Sequence, residues 1–119
     1  MKYLFLLHSA GGAPTDPTSP EYREIFLEFD RALTAMREAN VLLDCAPLRP
    51  ASTATTVRVR DDETFLTDGP AAEIKEQVGG YTLVECPDLD DALKWAATIP
   101  TARTGSIEVR AVVDTAPPT

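Results

Sequence analysis

Histidine, cysteine and basic charge are all scarce in this chain, and each shortage removes a class of function. The 119 residues include one histidine, His8, and two cysteines, Cys45 and Cys86. A zinc site takes about four ligands of such types, so no metal centre is expected. The cysteines lack C-x-x-C spacing. No P-loop, G-x-G-x-x-G, G-x-S-x-G or H-E-x-x-H motif is present, and no cofactor is expected. Two lone thiols on separate strands read as buried, reduced residues, although an oxidising compartment would let them pair. Eleven basic side chains stand against 19 acidic ones, a formal charge of −8. That balance repels phosphate backbones and anionic lipid, which argues against direct nucleic-acid contact and against a membrane partner.

Long hydrophobic runs are missing too. Nothing approaches the ~20 apolar residues of a membrane span. The apolar opening Tyr3-Leu4-Phe5-Leu6-Leu7 stops at His8, short of the roughly 7 to 15 residues of a signal-peptide core. It reads as a core strand, and the expected location is cytoplasmic.

The length suits one domain with a core of its own, expected over residues 1–113, with a disordered tail at 114–119. Residues 2–8 form the first strand. Leu4 and Leu6 lie on one face, and Tyr3, Phe5 and Leu7 on the other. A strand apolar on both sides is covered twice. A glycine- and proline-rich loop follows over residues 9–18. Ser19-Pro20-Glu21 then starts a helix, with a capping serine, proline at the first position and an acid at the positive end. Tyr22, Ile25, Phe29, Leu33 and Met36 make its apolar stripe, and Asn40 is placed for a left-handed cap.

A second strand starts at Val41-Leu42-Leu43 and runs toward Pro47. Residues 55–60 alternate as a third strand, Asp61-Asp62 turns, and Thr64-Phe65-Leu66 returns as a short one. Residues 67–77 read as a polar loop with one helical turn. Residues 81–86 are the next strand. Asp88 with Asp91 resembles a capping box for a helix through Ala96, closed by Ile99-Pro100. Residues 106–113 alternate as the last strand. The order is β-α-β-β-(hairpin)-β-α-β, the ferredoxin-like pattern of an α+β fold with an inserted short hairpin. Two helices cover one sheet face. A second copy covers the other most simply, as an isologous homodimer.

Residues 67–81 are the densest in chemistry. Asp68-Gly69-Pro70, Glu73, Lys75-Glu76 and Gly79-Gly80-Tyr81 resemble the signature of the DGPF domain, in the YCII-related superfamily. Ala71 stands where that motif usually carries phenylalanine, which removes an aromatic packing partner but not the turn. The resemblance continues through residues 88–96, Ile99-Pro100 and residues 105–110, and the first strand fits as well. It implies a ferredoxin-like fold in a dimeric α+β barrel. It implies little about activity: some YCII-related proteins are lyase-like enzymes with a proposed histidine–aspartate pair, and DGPF-type relatives often accompany extracytoplasmic-function sigma factors.

Each candidate residue has two readings. Asp68 is a general base or ligand-binding carboxylate, or an aspartate bonding its own turn. His8 is an acid–base group, the side chain that titrates nearest neutrality when unperturbed, or a strand-end histidine with one satisfied nitrogen. Lys75, Glu76 and Glu73 hold a ligand or form surface ion pairs of little energy. Arg110, with Glu108 on the same strand face, clamps a carboxylate or pairs across strands. Arg58 and Arg60 invite the same choice. Trp95 and Tyr81 read as core or interface residues. Three functions remain open: a homodimeric module binding a small organic ligand at the sheet face, in a regulatory role; a cofactor-free lyase, isomerase or dehydrohalogenase acting on a small organic acid through Asp68 or His8; and an accessory partner of a sigma-factor system.

Overall fold

The structure, a computed structural model, describes residues 1–10 and 16–114. Parts of two expectations, the loop at 11–15 and the tail at 115–119, lie outside the described residues. The elements run β1 (Lys2–Ser9), α1 (Pro20–Glu38), β2 (Leu42–Pro47), a 3₁₀ turn (Ala51–Thr53), β3 (Thr55–Arg60), β4 (Glu63–Asp68), β5 (Gln77–Glu85), α2 (Leu89–Ala97), α3 (Thr101–Thr104) and β6 (Ser106–Ala111). Four strands form one antiparallel sheet in the order β2-β5-β1-β6, and β3 pairs with β4 in a separate hairpin. This is the ferredoxin-like α+β arrangement with the hairpin inserted between its second and third sheet strands.

Local chemistry explains the helix ends. The Ser19 side chain accepts from the Tyr22 amide, Pro20 opens α1, and Asn40 adopts a left-handed conformation (φ 59°) two residues past the last helical one. The Asp88 side chain accepts from the Asp91 amide at 2.9 Å and caps α2. Each cap satisfies an otherwise unbonded first-turn amide and contributes about 1 kcal/mol.

Tyr3, Phe5 and Leu7 of β1 pack against Met36, Ala92, Ala96 and Ile99 on the helix side, with Val84 beside them; Phe5 and Met36 are fully buried. Cys86, just past β5, joins this core, and both cysteines are free thiols. Burial pushes the Cys86 thiol above its ordinary pKa, and the neighbouring Asp91 carboxylate adds to the push. The hydrogen bond from the Tyr81 hydroxyl to Asp44 acts in the same direction on that phenol. In the unfolded chain the thiol ionises near pH 8.5; in the folded protein it holds its proton longer. The stability that this proton retention carries is complete below about pH 8.5 and is lost as pH rises through the folded value. Urea midpoints are therefore expected to fall above about pH 9, and Cys86→Ala is expected to flatten that slope while lowering stability overall. A Cys86→Ala profile parallel to that of the parent across this range would refute the assignment.

Four local expectations need correction. The returning strand is not three residues but six, Glu63–Asp68. Residues 67–77 contain no helical turn: 67 and 68 finish β4, 69–76 are bends and loop, and Gln77 already belongs to β5. Beyond Pro100 stands α3, four residues with too few turns to show helical periodicity. The last strand stops at Ala111. Among the described residues no helix is long and apolar enough to cross a membrane.

Candidate functional site

The site begins with the alternation of β1. Since Tyr3, Phe5 and Leu7 face the helices, Leu4, Leu6 and His8 point to the opposite face, which carries no helix among the described residues. Register brings Leu83 and Tyr81 of β5 beside Leu4 and Leu6, with Arg110 and Glu108 of β6 on their other side. Leu4, Leu6, Leu83 and Tyr81 are half-buried. The centre of the open face is thus apolar, with polar groups at one end and along β6.

His8 sits at that polar end, opposite Ser106, where the β1–β5 register slips between Leu7 and His8 and leaves Gly79 as the extra residue. Such bulges bend a strand and re-aim the neighbouring side chain. The ring is 15% exposed and both of its nitrogens face acceptors. Nε2 lies 3.2 Å from Glu108 Oε1, and Nδ1 lies 3.4 Å from the Glu76 carbonyl oxygen. Either ring nitrogen thus has an oxygen to donate to when it carries the proton. Arg110 Nε stands 3.8 Å from the second oxygen of Glu108, and Ser106 Oγ donates to Glu76 Oε2 at 3.0 Å. Glu76 is therefore tied to β6 by its side chain while its carbonyl meets His8. His8, Ile74, Glu76, Ser106, Ile107 and Glu108 line a shallow cavity of about 410 Å³.

The residues singled out by sequence divide into two groups. His8 and Arg110 meet here through Glu108, and Glu76 joins them through its carbonyl at His8 and its carboxylate at Ser106. Asp68, Glu73 and Lys75 are exposed. Asp68 ends β4 opposite Thr55, next to Gly69 (φ 105°), whose amide donates to the Ala54 carbonyl at 2.7 Å. His8 takes its carboxylate from Glu108, not from Asp68. Sequence reasoning assigned neither Glu108 nor Ser106 to the site. The available signal was topological: in a ferredoxin-like sheet the last strand pairs antiparallel with the first, so the start of β6 must meet the end of β1. Tyr81, expected in core or interface, lies on the open face and donates to Asp44 Oδ2 at 2.9 Å. Trp95 is half-buried against the core. Arg58 reaches the Ala71 carbonyl and Arg60 its own neighbour's, Val59. Among the described residues no group of three or more His, Cys, Asp or Glu side chains is placed to hold a metal ion.

Comparison with known proteins places this geometry in context. The family model of the YCII-related domain matches residues 1–116. The "uncharacterized protein R00369" of Rhizobium meliloti (strain 1021) is 45% identical over 112 residues, which cover 92% of this chain and 90% of that one.

Proposed function

The chain belongs to the YCII-related family, and from that premise we propose that it works as a homodimer binding a small organic ligand against the open sheet face, beside His8. The observation that carries this reading is the setting of His8: a single histidine, held at both nitrogens, at the rim of a half-buried apolar surface and in the wall of a cavity. Leu4, Leu6 and Leu83 offer an apolar floor. Arg110 offers hydrogen bonds and positive charge to a ligand carboxylate, while Glu108 and Glu76 hold the His8 ring as an edge of the cleft. A second copy laid on the same face closes the cleft and excludes water from it. The ligand is held rather than converted, as a regulatory module requires.

A thermal-shift series with small carboxylic acids and their neutral amides tests this reading. A ligand at ten times its Kd adds about 1.4 kcal/mol, roughly 5 °C in midpoint for a domain this size. The acids are expected to produce such shifts in the parent protein and not in His8→Gln. Equal shifts in both proteins, or none with any compound at millimolar concentration, would defeat the proposal.

The His8–Glu108 contact favours one alternative. A carboxylate that orients an imidazole is the arrangement of a general acid–base catalyst. A cofactor-free lyase, isomerase or dehydrohalogenase would use His8 to move a proton on a small organic acid, with Arg110 steadying negative charge. Such an enzyme would exchange a C–H proton next to the substrate's carboxylate with solvent deuterium. Exchange seen by NMR with the parent and lost in His8→Gln supports catalysis; exchange at the buffer rate with both leaves the binding module.

A further inference from the structure

Register on the open sheet face aligns one row of side chains across all four strands. Arg110 of β6 stands opposite Leu4 of β1, Leu4 opposite Leu83 of β5, and Leu83 opposite Asp44 of β2. The row reads cation, apolar, apolar, anion. Sheet order dictates this layout, because the two charges come from the edge strands and the two leucines from the central pair. A bulge decides which face receives the anion. The β2–β5 register slips between Leu42 and Asp44. Leu42 therefore stays with Val84 on the core side, while Asp44 is delivered to the open face, where simple alternation would have put Leu43. The next row toward His8 is Glu108, Leu6, Tyr81 and Ala46.

Both ends of the row are equipped to take a charge. Arg110 is 69% exposed, and its Nε lies 3.8 Å from Glu108 Oε2, longer than a hydrogen bond. A ligand carboxylate in the plane of the guanidinium would make two parallel hydrogen bonds with it. At the other end, Asp44 Oδ1 accepts from the Cys45 amide and Oδ2 from the Tyr81 hydroxyl, each at 2.9 Å. These bonds fix the carboxylate, and each oxygen keeps a lone pair for a further donor; the Tyr81 oxygen can accept as well. We infer that the ligand of this face is dipolar: Arg110 takes its carboxylate, Asp44 and the Tyr81 oxygen take an ammonium at its far end, and the chain between lies on Leu4 and Leu83. The inference rests on the proposed binding function and adds the class of ligand, an ω-amino acid or a compound with the same layout of charge. Closing the cleft favours this class. A plain acid would leave Asp44 covered without a counter-charge, and an unpaired covered charge is costly. The edge strands stand three spacings apart, about 14 Å. Side chains reaching over the leucines from both ends leave roughly 7–10 Å for the ligand to bridge, so an amino acid with both charges on one carbon cannot meet both ends.

Isothermal titration calorimetry of the full chain tests the inference. The probes are 6-aminohexanoate and 8-aminooctanoate, the plain acids hexanoate and octanoate, and 2-aminohexanoate, which carries both charges at one end. The ω-amino acids are expected to bind about tenfold more tightly than the plain acids of equal length, and 2-aminohexanoate no more tightly than hexanoate. Asp44→Asn is expected to erase the tenfold gain and to leave hexanoate binding unchanged. Asp44 is exposed, so the circular dichroism of this variant should match that of the parent. Arg110→Gln should weaken acids and ω-amino acids by the same factor. If the plain acids bind the parent as tightly as the ω-amino acids, the dipolar ligand is overturned and the proposed function stands. If no compound binds, both fail. A gain that survives Asp44→Asn, or that 2-aminohexanoate shares, puts the ammonium elsewhere and overturns the inference. Sedimentation equilibrium tests the competing use of the row: if Asp44→Asn raises the dimer dissociation constant and leaves every ligand affinity unchanged, Asp44 meets a cation of a second copy instead of a ligand, and the inference is overturned.

Discussion

Gly105→Ala is expected to lower stability by at least about 1–3 kcal/mol and to detach His8 from Glu108. The cause is a close approach of backbone to backbone. Gly105 caps α3, its amide donating to the Thr101 carbonyl, and it passes directly beside the end of β1. A Cβ at this position would lie 2.1 Å from the His8 carbonyl oxygen and 3.2 Å from Ser9 Cα. No rotamer change relieves such a clash, because both sides are main chain. Either β1 moves away from β6 at its end or β6 starts one residue late, and each response carries His8 away from Glu108 and the Glu76 carbonyl. His8 is the only histidine, so its imidazole C–H signals in an NMR spectrum report the site without ambiguity. Those signals are expected to shift in Gly105→Ala, and the stabilisation by small acids to disappear. Gly69→Ala is the control. It meets positive φ but open space, so it costs roughly 1–3 kcal/mol of local strain and should leave the His8 signals in place. Unchanged His8 signals in Gly105→Ala would mean that the sheet absorbs the methyl elsewhere.

The contrast between these glycines marks what a sequence makes legible. Where a structure is held by groups near one another in the chain, residue chemistry reveals it. Ser19, Pro20 and Asn40 bound α1; Asp88 starts α2; Asp61-Asp62 turns the hairpin. The double apolar alternation of β1 distinguished a helix-covered face from an open one, and the element order was enough for the ferredoxin-like topology. The short β4 expectation failed for a physical reason. Glu63, Thr67 and Asp68 are strand residues of a hairpin exposed on both faces, where no burial imposes a polar–apolar code. Helix α3 was invisible because four residues complete barely one turn, and its position depends on the burial of Ile99 and Thr101. The candidate site was legible as residue types but not as pairs. His8 and Arg110 stood out as chemistry. Their link through Glu108 depends on antiparallel register across a separation of a hundred residues, and on a bulge at Gly79. The DGPF-like segment drew attention to Asp68 because its residue types are dense there. In the fold that aspartate lies at the base of the hairpin, and Glu76 is the member of the segment that meets His8.

Phe5→Ala is expected to have the largest effect of any single substitution considered, about 3–5 kcal/mol. Phe5 is fully buried at the centre of β1, in the core that Met36, Val84 and Ile99 share. The loss combines the transfer free energy of the ring with a cavity that neighbouring strands cannot close, and it is a large fraction of the 5–15 kcal/mol typical of a domain. Urea unfolding should show a lower midpoint at an unchanged slope. The adjacent residue makes the comparison informative. Leu6 lies on the open face beside Tyr81 and Glu108 and is half-buried within one copy. In an isolated copy Leu6→Ala removes only partly buried methyl groups and costs under about 1.5 kcal/mol. With a second copy laid on this face, the same side chain becomes a core residue of the pair, and its loss approaches the Phe5→Ala value. Association also makes the midpoint of the parent depend on protein concentration. Phe5→Ala should therefore lower the midpoint at every concentration and keep that dependence, whereas Leu6→Ala should weaken it. If both variants retain the parent's concentration dependence, Leu6 is not at the contact, and the second apolar face of β1 serves the ligand alone.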